Sequence, residues 1–132
     1  MKIDSKEISI DDSEMGCSVT FYEKIQDDSF DYTKKFTIDQ VMESIGSYIS
    51  LNRTYPEDDF ESDYYYIELS DLDKSDELTN FTADLYRTRF LIELNNELNE
   101  INFEIKDYKF NELKNILKKI FNNRGQFTVH KN

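Results

Sequence analysis

The chain is poor in the residues that most often build catalytic, metal and disulfide sites. It has one cysteine, one histidine, one proline, three glycines and no tryptophan. A single cysteine excludes an internal disulfide, and isolated glycines exclude a glycine-rich phosphate loop. No run approaches the roughly 20 apolar residues of a membrane-spanning helix, and the amino terminus lacks the apolar stretch of a secretory signal. These absences predict a cytoplasmic protein that is not an enzyme and holds no cofactor or metal.

Positive charge is also scarce, because 16 Lys and Arg stand against 28 Asp and Glu, which leaves a net charge of −12. Affinity for nucleic acid comes from cations that neutralise phosphates, and anionic membranes attract basic segments. The charge balance therefore argues against both as direct partners. It predicts a basic protein partner instead, since opposite fields raise encounter rates by roughly 10- to 1000-fold.

Aromatic side chains and one block of acidic residues are what the chain has in abundance. Ten Phe and nine Tyr occur in 132 residues, and buried aromatics remove large areas from water. We therefore predict one folded domain over residues 1–132. Residues 54–77, called the acidic segment below, hold ten carboxylates and one base, so they carry −9 of the total charge.

The acidic segment also contains three consecutive tyrosines, a residue type enriched at the energetic centres of protein interfaces. In a strand, Tyr64 and Tyr66 share one face and Tyr65 occupies the other. One face would pack into the core, and the other would be open to a partner. The alternative is that the acids only keep the protein soluble. The predicted partner-binding residues are Glu57, Asp58, Asp59, Phe60, Glu61, Asp63, Tyr64, Tyr66, Asp71, Asp73 and Asp76.

Hydrophobic periodicity predicts an α+β fold: a mostly antiparallel sheet of about 5–7 strands with two helices, at about 38–51 and 109–122. The first helix would begin with a capping box, Thr37 to Gln40, and would contain Gly46 at a cost of roughly 1 kcal/mol. The predicted strands are 6–10, 17–25, 30–36, 64–69, 81–94, 102–106 and 126–130.

Residues 81–94 fit two patterns, because their apolar side chains mark a helix face as well as a strand face. The excess of β-branched and aromatic residues favours a strand. The alternative helix stays open at this point. Asn95 and Asn96 then indicate a turn.

Three features that could carry chemistry have simpler explanations. Ser70–Asp76 begins like a calcium loop, but a calcium loop needs Gly where Asp76 stands and Glu where Thr82 stands, so we predict a solvated loop. His130 lies near the carboxyl end, where chains often fray, and is expected in solvent. Cys17 falls in an apolar strand and is expected to be a small buried hydrophobe.

The residue pattern resembles the small single-domain immunity proteins of bacterial polymorphic-toxin and contact-dependent inhibition systems. Three stretches carry the resemblance, namely 64–71 (YYYIELSD), 85–94 (LYRTRFLIEL) and 110–121 (FNELKNILKKIF). It implies a cytoplasmic antitoxin that binds one cognate toxin, often a nuclease, and it transfers no catalytic residue. The alternative is a phage-type nucleic-acid mimic that blocks a restriction or CRISPR nuclease.

Overall fold

The computed structural model describes residues 1–26, 37, 45–58, 60–70 and 76–131. Within these ranges it has an α+β architecture with ten strands and one helix. In chain order they are β1 (Lys2–Asp4), β2 (Glu7–Asp12), β3 (Gly16–Tyr22), β4 (Tyr48–Thr54), β5 (Tyr64–Leu69), β6 (Asp76–Glu77), β7 (Phe81–Tyr86), β8 (Arg89–Leu94), β9 (Glu97–Asn102), α1 (Asp107–Phe121) and β10 (Gln126–Val129).

The strands form two sheets, where the sequence predicted one sheet with fewer strands. The front sheet has the order β2-β3-β4-β5-β6 and is antiparallel throughout. The back sheet has the order β1-β9-β8-β7-β10. Its centre is antiparallel, and its two outer strands, β1 and β10, pair in parallel. The prediction of mostly antiparallel pairing is therefore confirmed, and the strand count is wrong.

Aromatic rings from both sheets and the helix meet in one core. Phe21 of β3 stacks on Phe90 of β8 with ring centroids 5.8 Å apart. Phe121, at the end of α1, lies 6.4 Å from Phe90 and 4.9 Å from Phe81. All four rings are buried, so the aromatic content predicted from composition forms the centre of the fold.

The helix near the carboxyl end is confirmed at Asp107–Phe121. Its apolar stripe is buried, its last turn carries Lys118 and Lys119, and it ends at Asn122, which adopts a left-handed conformation. Cations in the last turn suit the helix dipole, and an asparagine tolerates the left-handed cap. Among the described residues, no helix has the length and apolar character needed to cross a lipid bilayer.

The helix predicted at 38–51 is wrong at its carboxyl end. Tyr48–Thr54 is strand β4, in which Ile49 and Leu51 are buried and point inward. Gly46 has φ +76°, a left-handed conformation that ends a right-handed helix. Ile45 is helical, and residues 38–44 lie outside the described part of the chain, as do 30–36, for which a strand was predicted.

Residues 81–94 form a hairpin of two strands, β7 and β8, so the choice of strand over helix is confirmed and the single continuous strand is wrong. Arg87 and Thr88 make its two-residue turn, since Tyr86 pairs with Arg89. Asn95 and Asn96 make the next turn with φ 54° and 63°, the left-handed pair typical of tight hairpins. The following strand is Glu97–Asn102, so the strand predicted at 102–106 was placed too late in the sequence.

Candidate partner-binding surface

Strand β5 organises the predicted surface. Its tyrosines alternate as expected: Tyr65 is buried, whereas Tyr64 and Tyr66 point outward with their rings stacked 5.5 Å apart. Tyr64 is 50% exposed. The pairing of β5 with β4 sets this orientation, because the inward Ile67 lies opposite the buried Leu51. A slip of one residue in this register would bury the wrong tyrosines.

Three further residues extend this outward surface of the front sheet. Glu68 shares the face of Tyr66 by strand alternation, and it accepts a hydrogen bond of 3.4 Å from the hydroxyl of Tyr48. Tyr48 in turn lies beside Tyr22, with ring centroids 6.2 Å apart. We call the set Tyr22, Tyr48, Tyr64, Tyr66 and Glu68 the tyrosine face.

Two phenols of the tyrosine face, those of Tyr48 and Tyr66, have raised pKa values. Burial first, and then the charge of Glu68, raises the pKa of both Tyr48 and Tyr66 above the ordinary value of 10.0. Burial disfavours the charged phenolate, and a nearby carboxylate repels it. Both hydroxyls are therefore protonated at neutral pH, and that of Tyr48 donates its one proton to Glu68.

The raised pKa of Tyr48 makes stability depend on pH in the alkaline range. The folded state retains its proton more tightly than the unfolded state, so this stabilisation is complete below pH 10 and is lost as pH rises through the folded-state pKa. We expect Tyr48→Phe to change the free energy of unfolding by less than about 1 kcal/mol at neutral pH and to make its decline above pH 10 shallower. Urea unfolding at a series of pH values measures both effects. Tyr108→Phe, at an exposed tyrosine on α1, is the matched control, and an unchanged alkaline slope in Tyr48→Phe would contradict the assignment.

The loop that precedes β5 presents one aromatic side chain on an acidic turn. The carboxylate of Asp58 accepts hydrogen bonds from the backbone N–H of Phe60 at 2.9 Å and of Glu61 at 3.1 Å. The carboxylate of Glu61 accepts from the N–H of Glu57 at 3.2 Å. Phe60 itself is 98% exposed. The acids thus order the backbone, while the ring of Phe60 stays in solvent. The hydrophobic effect would favour burial of this apolar ring.

Asp63 anchors this loop to the helix and so differs from its acidic neighbours. Arg53 contacts its carboxylate at 2.6 and 2.7 Å and donates to the carbonyl of Lys119 at 2.8 Å. The guanidinium also lies over the rings of Tyr55 and Tyr65. Among the ion pairs between described residues, this is the one that involves the acidic segment.

The structure separates the predicted partner-binding residues into distinct places. Glu57, Asp58, Phe60 and Glu61 lie before β5. Asp76 lies beyond it and accepts a hydrogen bond at 3.0 Å from the side chain of Asn95, in the turn between β8 and β9 of the back sheet. Asp76 therefore faces away from the tyrosine face. The remaining three predicted positions, Asp59, Asp71 and Asp73, fall outside the described residues.

Sequence reasoning missed part of the tyrosine face. Glu68 was detectable, because it stands two residues after Tyr66 and alternation puts both on one side. Tyr48 was hidden by the helix predicted over it. Alternation puts Tyr22 on the face of its strand opposite Phe21, but nothing in the sequence indicated that Tyr48 lies beside it in the adjacent strand.

The other residues considered for chemistry have structural roles. His130 was expected in solvent, but its Nε2 lies 2.7 Å from the carboxylate of Asp84, and its ring stacks on Tyr86 at 4.3 Å. That prediction is wrong because β10 pairs with β7 and holds the carboxyl end in place. Cys17 is buried, as predicted. Within the described residues, no group of three or more His, Cys, Asp or Glu side chains is placed to hold a metal ion.

In comparisons with known proteins, the sequence matches no protein-family model, no curated protein and no solved structure. The local geometry and charge of the acidic loop and the tyrosine face therefore carry the functional argument. Two properties matter most. The ring of Phe60 is fully exposed on an ordered turn, and stacked tyrosines lie on the strand that follows it.

Proposed function

We propose that this chain is a non-enzymatic protein inhibitor of the immunity type. It binds the basic active-site cleft of one cognate toxin in the bacterial cytoplasm. Charge complementarity favours a nuclease as this toxin. The observation that carries the proposal is Phe60, a 98% exposed ring on a turn ordered by Asp58. The hydrogen bonds to Asp58 hold the backbone at Phe60, which lowers the entropy lost when its ring is bound, and aromatic anchors dominate interface energies.

Charge and aromatic contact have separate tasks in this mechanism. Glu57, Asp58 and Glu61 attract the Lys and Arg side chains that a nuclease uses to hold phosphates, which accelerates encounter. Phe60 and the tyrosine face then bury apolar area and slow dissociation. Tyrosine rings also attract cations over their faces. Arg53 over Tyr55 and Tyr65 shows the same contact within the chain.

Site-specific cross-linking tests the proposal. A photoreactive phenylalanine analogue is placed at position 60 and, as a control, at the exposed position 108. We expect one basic protein to cross-link at position 60 and not at 108. One equivalent of this chain should then abolish the nuclease activity of that protein, and its association rate should fall steeply with salt.

Two outcomes would overturn the proposal. Cross-linking of many unrelated proteins at position 60 would indicate an adaptor or chaperone in place of an inhibitor. A single basic partner whose activity is unchanged at saturating inhibitor would show binding without neutralisation.

A nucleic-acid mimic is the second candidate. Glu61 precedes β5 and Glu68 lies near its end, so these two acids lie about 20 Å apart along the strand, and residues 64–67 between them carry no charge. A mimic would contact its target across this whole distance, whereas acids concentrated in loops favour a local plug. Cross-linking from position 77 as well as position 60 to one nucleic-acid-binding protein would favour the mimic, whereas cross-linking from position 60 alone favours the local plug.

A further inference from the structure

A groove of about 740 Å³ lies between the last turn of α1 and strand β10. Phe127 and Thr128 both line it. Neighbouring residues of a strand point to opposite faces of the sheet, so the groove is not confined to one face. No residue of β7, all of which are described, lines the groove. It therefore runs along the outer edge of β10, the last strand of the back sheet.

The backbone of β10 presents free hydrogen-bonding groups to this groove. Val129 is in register with Leu85, and the N–H of His130 donates to the carbonyl of Leu85 at 2.8 Å. In a parallel ladder, successive residues direct their backbone groups to alternate sides. The N–H and C=O of Phe127 and Val129 therefore point away from β7, and no backbone partner for them occurs among the described residues. An unpaired strand edge is a template for another strand.

The groove has an apolar floor and a basic rim. Phe121 and Phe127 pack edge to face at 5.0 Å and form the floor. Lys118 and Arg124 line the rim, and none of the described lining residues is acidic. The guanidinium of Arg124 is held 4.2 Å from the ring centroid of Tyr65. Neither cation forms an ion pair with a described residue, in a chain whose net charge is −12.

We propose that this basic groove binds an extended, carboxylate-bearing segment of a partner polypeptide, which adds to the edge of β10 as a new strand. Backbone hydrogen bonds to Phe127 and Val129 would hold the segment, and Lys118 and Arg124 would select for acidic side chains. A second copy of this chain fits less well, because pairing two β10 edges would bring the same cations together. The proposal does not depend on the inhibitor function, since the groove and the tyrosine face use different elements.

Amide NMR with a defined peptide tests the groove. The probe is a hexapeptide of alternating valine and glutamate, titrated into the isotope-labelled full chain, with a glutamine-for-glutamate peptide for comparison. We expect the largest shifts at the amides of Phe127 and Val129, and about tenfold weaker binding of the glutamine peptide. Shifts centred elsewhere, equal affinity of the two peptides, or no shift at millimolar peptide would each overturn the proposal. β10 amides that shift with protein concentration alone would show a dimer interface and overturn it as well.

Two variants separate the contribution of backbone hydrogen bonds to peptide binding from the contribution of the two cations. Val129→Pro removes an outward N–H and leaves the β7 ladder intact, so it should weaken peptide binding about fivefold to tenfold. The double variant of Lys118→Gln with Arg124→Gln should remove the preference for glutamate. Its matched control is Lys6→Gln with Lys106→Gln, which loses the same charge outside the groove and should bind as the wild type does. If Val129→Pro does not fold, the charge variants decide alone, and a retained preference for glutamate would refute the site.

Discussion

Replacing Phe60 and Tyr66 together with alanine is expected to weaken binding of the cognate basic partner by about 30- to 1000-fold. Phe60 contributes an exposed ring on a preformed turn, and Tyr66 contributes a ring already stacked on Tyr64. The backbone at Phe60 is held by Asp58 and the ring of Tyr66 by Tyr64, which reduces the contact energy lost to immobilisation. Titration calorimetry of the purified pair measures the change.

The matched control for this variant removes Leu98 and Tyr108, two large side chains that are 55% and 65% exposed on other parts of the surface. Leu98→Ala with Tyr108→Ala should leave the affinity within about twofold. If instead the control weakens binding and the Phe60 and Tyr66 variant does not, the interface lies on the back sheet and helix. Unfolding curves of both variants should first establish that the fold is retained.

Phe90→Ala is expected to lower the free energy of unfolding by about 3–5 kcal/mol. Phe90 has no exposed surface, and its ring lies between Phe21 of the front sheet and Phe121 of the helix. Truncation would leave a cavity where three elements meet, because close-packed interiors relax only partly. Urea or guanidinium unfolding measures the loss.

Phe60→Ala is the control for Phe90→Ala, since it deletes the same side chain from a 98% exposed position. Its effect on stability should stay within about 0.5 kcal/mol. A loss below about 1.5 kcal/mol in Phe90→Ala would mean that the two sheets and the helix do not depend on a shared aromatic core.

Local sequence determined the elements whose patterns have a single interpretation. The period-two pattern at Tyr64–Leu69 and the apolar stripe of Asp107–Phe121 each match one kind of structure, and both were predicted correctly. The alternation around Tyr65 is similarly local, because a strand directs neighbouring side chains to opposite faces. This is why the outward Tyr64 and Tyr66 could be named in advance.

The strand at Tyr48–Thr54 shows where local reasoning failed. Ile49 fits a helical stripe with residues before it and a strand pattern with Leu51 after it, and only the second is satisfied in the sheet. Gly46 held the missing signal, because a glycine at that point can end a helix through its left-handed conformation. Treating it as a tolerated interior residue extended the helix into β4.

The sequence by itself determined the composition of this protein: its negative charge, its acidic segment, the order of its clearest elements and the alternation of its tyrosines. Only the tertiary structure decided which of those residues are neighbours. It neutralised Asp63 with Arg53, turned Asp76 toward the back sheet, brought Tyr48 and Glu68 to the tyrosine face and left the edge of β10 open beside Lys118 and Arg124. The physical reason is that these contacts join residues far apart in the chain. Strand pairing and core packing set such contacts through many interactions at once. Local spacing encodes only the direction in which each side chain points.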